Sequence, residues 1–166
     1  MSSPTPIFIS SNLEYTLAQN GISPQGYLPA YGGESAGLDL YYVGDQPFHI
    51  PPSKLGHKIL IPTGLHVALP KTRVVLLQER SSISKTPLKL RAGVIDAGYT
   101  GEIFCNCINI SDSAWNINPH EKLPFQLLVL PVFNEFNPLN PDEWAEVQSK
   151  SARGTGALGS SDKSSS

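Results

Sequence analysis

Fifteen prolines in 166 residues restrict the folds open to this chain more than any other feature. Proline lacks a backbone N–H and its ring clashes with the carbonyl four residues back, so helix interiors reject it. Spread from Pro4 to Pro141, the prolines nearly exclude long helices and leave intervals suited to short strands and turns. The expected class is all-β. Leu65, Val67 and Leu69 alternate with polar or small neighbours between Pro62 and Pro70, the period-two pattern of a strand with one buried face. Val74 to Gln78, Glu102 to Ile110 and Phe125 to Val132 read as further strands. The best helical candidate comes after Asn140, which can cap, with Pro141 at the first helical position and Asp142 and Glu143 at the positive end of the dipole.

The length suits one domain, taken as residues 1–150, followed by a short tail. From Ser149 the chain turns Ser- and Gly-rich, so residues 151–166 are expected to form a flexible arm. A formal net charge of -2 offers no broad cationic field, so neither nucleic acid nor an anionic membrane is an expected partner, and any phosphate must be held by a few local cations. The opening MSSPTPIF has no basic region and no sustained apolar run, which points to a soluble intracellular protein. Cys105 and Cys107, two apart in an apolar run, would share one side of a strand as packed free thiols.

Five segments carry groups suited to chemistry, although each has a plainer structural use. Ala36 to Leu40 places Asp39 between two leucines, where it could simply pair with an internal arginine. Glu79 to Ser84 sets Arg80, Ser81 and Ser82 at a strand end. A planar fork of donors, two hydroxyls and backbone amides suit phosphate oxygens, and equally a serine-rich turn. Gly93 to Glu102 reads as a hairpin with Gly98 in its turn, and Asp96 at its tip could act as a general base or accept backbone N–H bonds. His120 to Leu127 runs into an apolar strand with Gln126 as its lone amide, which must tie two strands or orient something in a pocket. Arg153 to Ser161 puts one cation on a glycine-rich stretch that permits close approach to phosphate, or merely forms a linker.

In this order and spacing the five segments resemble the motifs of the trimeric dUTP diphosphatase family, from about Ala36 to Ser161: AGLDL, RSSIS, GVIDAGYTGEI, EKLPFQL and RGTGALGSS. The resemblance implies a β jelly roll, a homotrimer whose active sites take motifs from more than one chain, and Mg2+-dependent hydrolysis of dUTP to dUMP and pyrophosphate. It implies that Asp96 activates the attacking water and that Tyr99 packs under the deoxyribose, leaving no room for a 2'-hydroxyl. The backbone of Gly93, Val94 and Ile95, with Phe104 opposite, would read the uracil edge. Arg80, Ser81, Ser82 and Gln126 would hold the phosphates or their water, Asp39 would reach magnesium through water, and Arg153 would close over the terminal phosphate.

Two departures stand out. Leu158, with Gly159 and Ser160 after it, occupies the place of the aromatic that usually stacks on the base, and Ala157 replaces a glycine. Leucine covers a base by dispersion but forfeits stacking worth about 0.5–1.5 kcal/mol in side-chain pairs. Leu90 stands where some members use an asparagine. The related dCTP deaminase is the nearest alternative enzyme, yet where its chemistry needs a glutamate this chain has Asn106, which cannot shuttle a proton at neutral pH. A regulatory nucleotide-binding protein on the same fold is the other alternative, with the segment from Asn134 to Lys150 as the place for an added partner.

Overall fold

Alternation along each strand decides which side chains turn inward. In the computed structural model, which describes residues 3–53 and 59–155, the strands are β1 (Ile7–Ile9), β2 (Leu38–Tyr41), β3 (Phe48–Ile50), β4 (Ile59–Pro62), β5 (Leu65–Val67) and β6 (Arg73–Glu79). They continue as β7 (Leu88–Leu90), β8 (Val94–Ile95), β9 (Phe104–Asn109), β10 (Trp115–Ile117) and β11 (Lys122–Pro131). Helix α1 spans Ser11–Gln19 and α2 spans Pro141–Ser149. On β9, Cys105, Cys107 and Asn109 are buried while Phe104, Asn106 and Ile108 face the other way. On β11, Leu123, Phe125 and Leu127 point inward and Pro124 and Gln126 do not.

Every ladder is antiparallel. One sheet runs β2-β11-β6-β8, a second β4-β9-β7, and the pairs β1-β5 and β10-β3 complete a jelly-roll-like arrangement, as expected from the sequence. Leu40, Ile61, Leu65, Val75, Ile103, Leu123 and Phe125 fill its core. Each such side chain contributes about 1.5–3 kcal/mol by leaving water. Thr63 Oγ1 donates to Ile103 O at 2.5 Å, and Asn109 Nδ2 donates to Ile50 O at 3.1 Å and Ser113 O at 2.8 Å, whereas the buried Asn106 Oδ1 has no hydrogen-bond partner among the described residues. Cys105 and Cys107 are free and buried. Burial pushes both thiols up, Cys107 to about 12, so neither is a nucleophile.

The chain divides into two compact units, Met1–Val132 and Phe133–Ser166; all the strands and α1 belong to the first. In the second, α2 begins as the sequence predicts. Asn140 Oδ1 accepts from the N–H groups of Asp142 and Glu143 at 3.0 Å, and Glu143 Oε2 accepts from Asn140 N–H at 2.8 Å. Among the described residues, no helix is long and apolar enough to cross a membrane.

Two expectations need correction. Helix α1 was not anticipated: no proline stands between Pro6 and Pro24, Ser10 caps the helix through its hydroxyl, and Leu13, Thr16 and Leu17 bury one face. The stretch from Gly93 to Glu102 is also not a ladder of two strands, because β8 pairs with β6 whereas β9 pairs with β4 and β7. Gly93 draws the incoming arm to β6. Its carbonyl accepts from Leu77 N–H at 2.7 Å, and a Cβ there would stand 2.8 Å from Leu77 O.

Candidate active site

Arg80 directly follows β6 and is held on three sides. Its N–H donates to Pro124 O at 2.9 Å, its Nη1 donates to Leu123 O at 3.1 Å, and its Nε lies 2.8 Å from Asp39 Oδ1. Lys122 Nζ reaches the other oxygen, Asp39 Oδ2, at 3.0 Å. Burial alone would lower the Lys122 pKa, but its hydrogen bond to Asp39 and the pull of Tyr41 and Asp39 outweigh that and raise it. Two cations thus share one carboxylate and leave a net positive charge at this strand end, the balance an anion needs. The internal pairing of Asp39 with an arginine is therefore real.

Ser81 opens a 3-10 turn, Ser81–Lys85, with Arg80 as its N-cap. The first N–H groups of such a turn have no acceptor within it, and the exposed Ser81 and half-buried Ser82 hydroxyls stand beside them. Gln126 Nε2 donates to Glu79 O at 3.3 Å, so the amide does tie β11 to β6. Gly37 makes room for it, since a Cβ there would lie 2.8 Å from Gln126 Cδ. Glu79 in turn is tied to β7, accepting from Leu90 N–H at 3.0 Å with Lys89 Nζ at 3.6 Å.

A second cluster lies where β8 leaves its sheet. Tyr99 N–H donates to Asp96 O at 3.2 Å across a turn in which Gly98 has φ +90°, a conformation that glycine alone adopts cheaply. The Asp96 side chain is exposed. Among the described residues it accepts no hydrogen bond, so the purely structural use of this carboxylate is not the one found. Tyr99 Oη donates to Glu102 O at 2.7 Å, fixing the ring across Gly101. Val94, Ile95, Asp96, Tyr99 and Phe104, with Leu60 and Glu102, line an open cleft of about 330 Å³.

The structure therefore gathers Asp39, Arg80, Ser82 and Gln126 at one place, with Ser81 on the turn beside them, and Val94, Ile95, Asp96, Tyr99 and Phe104 at another. It does not bring the two groups together within one chain. Ile95 stands opposite Val75 on β6. Arg80 lies five positions further along that strand and Asp96 one position further the other way, which at about 3.3 Å per residue sets them roughly 20 Å apart. Arg153 belongs to the second unit, and Leu158, Gly159 and Ser160 lie outside the described residues. Lys122 and the carbonyls of Leu123 and Pro124 were missed as parts of the site; a lysine beside an apolar strand gives no hint of a partner 83 residues away. Asn106, which stands where the deaminase needs a glutamate, is an amide opposite Leu60 on β4.

Comparison with known proteins bears on these groups together. A model of the dUTPase family matches residues 28–162. The deoxyuridine 5'-triphosphate nucleotidohydrolase of Legionella pneumophila (strain Paris) is 35% identical over 140 residues, 81% of this chain and 86% of that protein. The dUTPase of Staphylococcus bacteriophage 80alpha, solved with dUPNHPP, shares the fold with a TM-score of 0.72 at 22% identity, over 96% of this chain and 98% of that one. A variant of the dUTPase from phage phi11 of S. aureus, solved to detail the coordination of a structural Mg(II) ion, superposes with a TM-score of 0.64 at 21% identity, over 84% and 97% of the two chains.

Proposed function

The chain belongs to the dUTPase family and is a hydrolase of dUTP, and we propose that it does so by water attack at the α-phosphorus in a site completed by a second copy of the chain. A water oxygen bonds to that phosphorus while the bond to the α,β-bridging oxygen breaks. The proton goes to Asp96, the products are dUMP and pyrophosphate, and the bridging oxygen leaves with the pyrophosphate. Asp96 suits a base because its carboxylate is exposed and accepts no hydrogen bond among the described residues. Arg80, Ser81, Ser82 and Gln126 bind the triphosphate, and neutralising its oxygens in a closed site stabilises the charge that moves onto the leaving group.

Tyr99 supplies the floor for the sugar, and its ring, pinned by Glu102 O, leaves no space for a 2'-hydroxyl. The backbone of Gly93, Val94 and Ile95 reads the uracil, with Phe104 closing the cleft. The stretch from residue 151 acts as the arm, Arg153 meeting the terminal phosphate while Leu158, Gly159 and Ser160 cover the base. The donor set fits Mg2+ in one way. Both oxygens of Asp39 already face cations, and among the described residues no three acidic, histidine or cysteine side chains cluster as a cage. The ion would ride on the triphosphate and meet Asp39 through water, as Mg2+ commonly does. Bound so, it would neutralise phosphate charge.

The separation of Arg80 from Asp96 along β6 carries this reading: a base and a phosphate cation on one chain are too far apart to serve one α-phosphorus, so a homotrimer with shared sites supplies each from a different copy. Mixing tests it. Asp96→Asn and Arg80→Ala chains, each strongly impaired alone, are expected to recover dUTP hydrolysis when unfolded and refolded together, because some mixed sites carry both intact residues. No recovery in assemblies that mass spectrometry shows to be mixed would refute the shared site.

A further inference from the structure

His120 occupies a backbone conformation that a non-glycine residue seldom adopts, φ +58°, in the turn just before β11. Strain of this kind persists only where surroundings hold it. Here the hold comes mainly from α1. Thr16 Oγ1 and His120 Nδ1 share a hydrogen bond of 2.8 Å, Asn20 Nδ2 donates to His120 O at 3.0 Å, and the Tyr15 ring meets the imidazole edge to face at 5.2 Å. Asp45 Oδ1 lies 3.3 Å from Nε2 on the opposite side. The order Thr16, His120, Asp45 is that of a nucleophilic triad, but Thr16 is completely buried, so its hydroxyl cannot meet a substrate.

The first residues of β11, which begins two positions after His120, give the clamp a purpose. Leu123 O and Pro124 O, two of the acceptors that hold Arg80, lie between Lys122 and Gln126, where the register of β11 against β2 shifts. On that side the ladder does not fix those two carbonyls. Helix α1 precedes residue 28, where the match to the family begins. We propose that His120 is a positioning residue: by locking the turn to α1 it sets the start of β11, and through the carbonyls of Leu123 and Pro124 it aims the Arg80 guanidinium at the phosphates. This rests on the reading of Arg80 as a phosphate-binding cation.

A double-mutant cycle separates the two ideas. Glycine suits φ +58°, so His120→Gly removes the clamp while relieving the strain, and the protein should fold. Its kcat/KM for dUTP is expected to fall about tenfold in the wild-type background and by less than about twofold in the Arg80→Ala background. Asparagine tolerates the left-handed conformation and can keep the bond to Thr16, so His120→Asn should restore most of the loss. Equal losses in both backgrounds would show a general structural role, and no loss in the wild-type background would show no role; either overturns the inference. If Arg80→Ala alone keeps near-normal kcat/KM, the phosphate role of Arg80 fails and the inference falls with it. If Arg80→Ala is crippled and His120→Gly is not, only the inference falls.

Discussion

Asp39 and Asp96 are both carboxylates flanked by apolar sequence, and the fold treats them in opposite ways. Asp39 gives each oxygen to a cation, so removing it would loosen Arg80 and Lys122 together. Asp96 gives its side chain to nothing among the described residues. Asp96→Asn is therefore expected to lower kcat by about 10²–10⁴-fold while the dissociation constant for a non-hydrolysable dUTP analogue hardly moves; calorimetry beside a pyrophosphate assay checks both halves. Tyr99 is controlled by a neighbour without a side chain. A Cβ at Gly101 would stand 2.6 Å from the Tyr99 hydroxyl, so Gly101→Ala should push the ring aside. The ratio of kcat/KM for dUTP over UTP is expected to drop, as it should in Tyr99→Ala. An unchanged ratio in both variants would remove Tyr99 from sugar selection. Residue type and strand-end position made these side chains legible in the sequence, whereas Lys122 was not, because its bond to Asp39 spans 83 residues and exists only once β2 and β11 pair.

Elements whose signals are local were equally legible. The start of α2 is written in four consecutive residues from Asn140 to Glu143, β5 announced itself by alternation, and the segments of β6, β9 and β11 read as further strands. Helix α1 did not, since fifteen prolines in the chain drew attention away from the interval between Pro6 and Pro24 that holds it. The pairing of β8 was also hidden: a turn signal says that the chain reverses, not which sheet receives each arm. Here a glycine decides. At Gly93 a Cβ would meet the backbone oxygen of Leu77, which unlike a side-chain tip cannot swing away. Gly93→Ala is expected to cost about 1–3 kcal/mol and lower Tm, with loss of amide protection in β8 before β6. A variant as stable as the parent would mean that β8 and β6 can separate without consequence.

At the scale of the molecule, β6 acts as a ruler. It carries Arg80, the proposed phosphate-binding cation, at one end and, through β8, presents Asp96 and Tyr99, the proposed base and sugar platform, near the other, so its length keeps apart two groups that on this proposal must meet over one substrate. If copies of the chain must supply both, turnover per polypeptide ceases to be a constant and obeys mass action. Diluting the enzyme through the dissociation range of its assembly should make specific activity decline more steeply than the number of chains. A substrate analogue that touches two copies should oppose the decline by favouring the associated form. Sedimentation at each dilution, with and without the analogue, checks the match. Full activity in a species that sediments as a single chain would mean that the ruler is bridged some other way. On the shared-site proposal, the output of this enzyme would depend on how concentrated it is, with a threshold below which chains are present and silent.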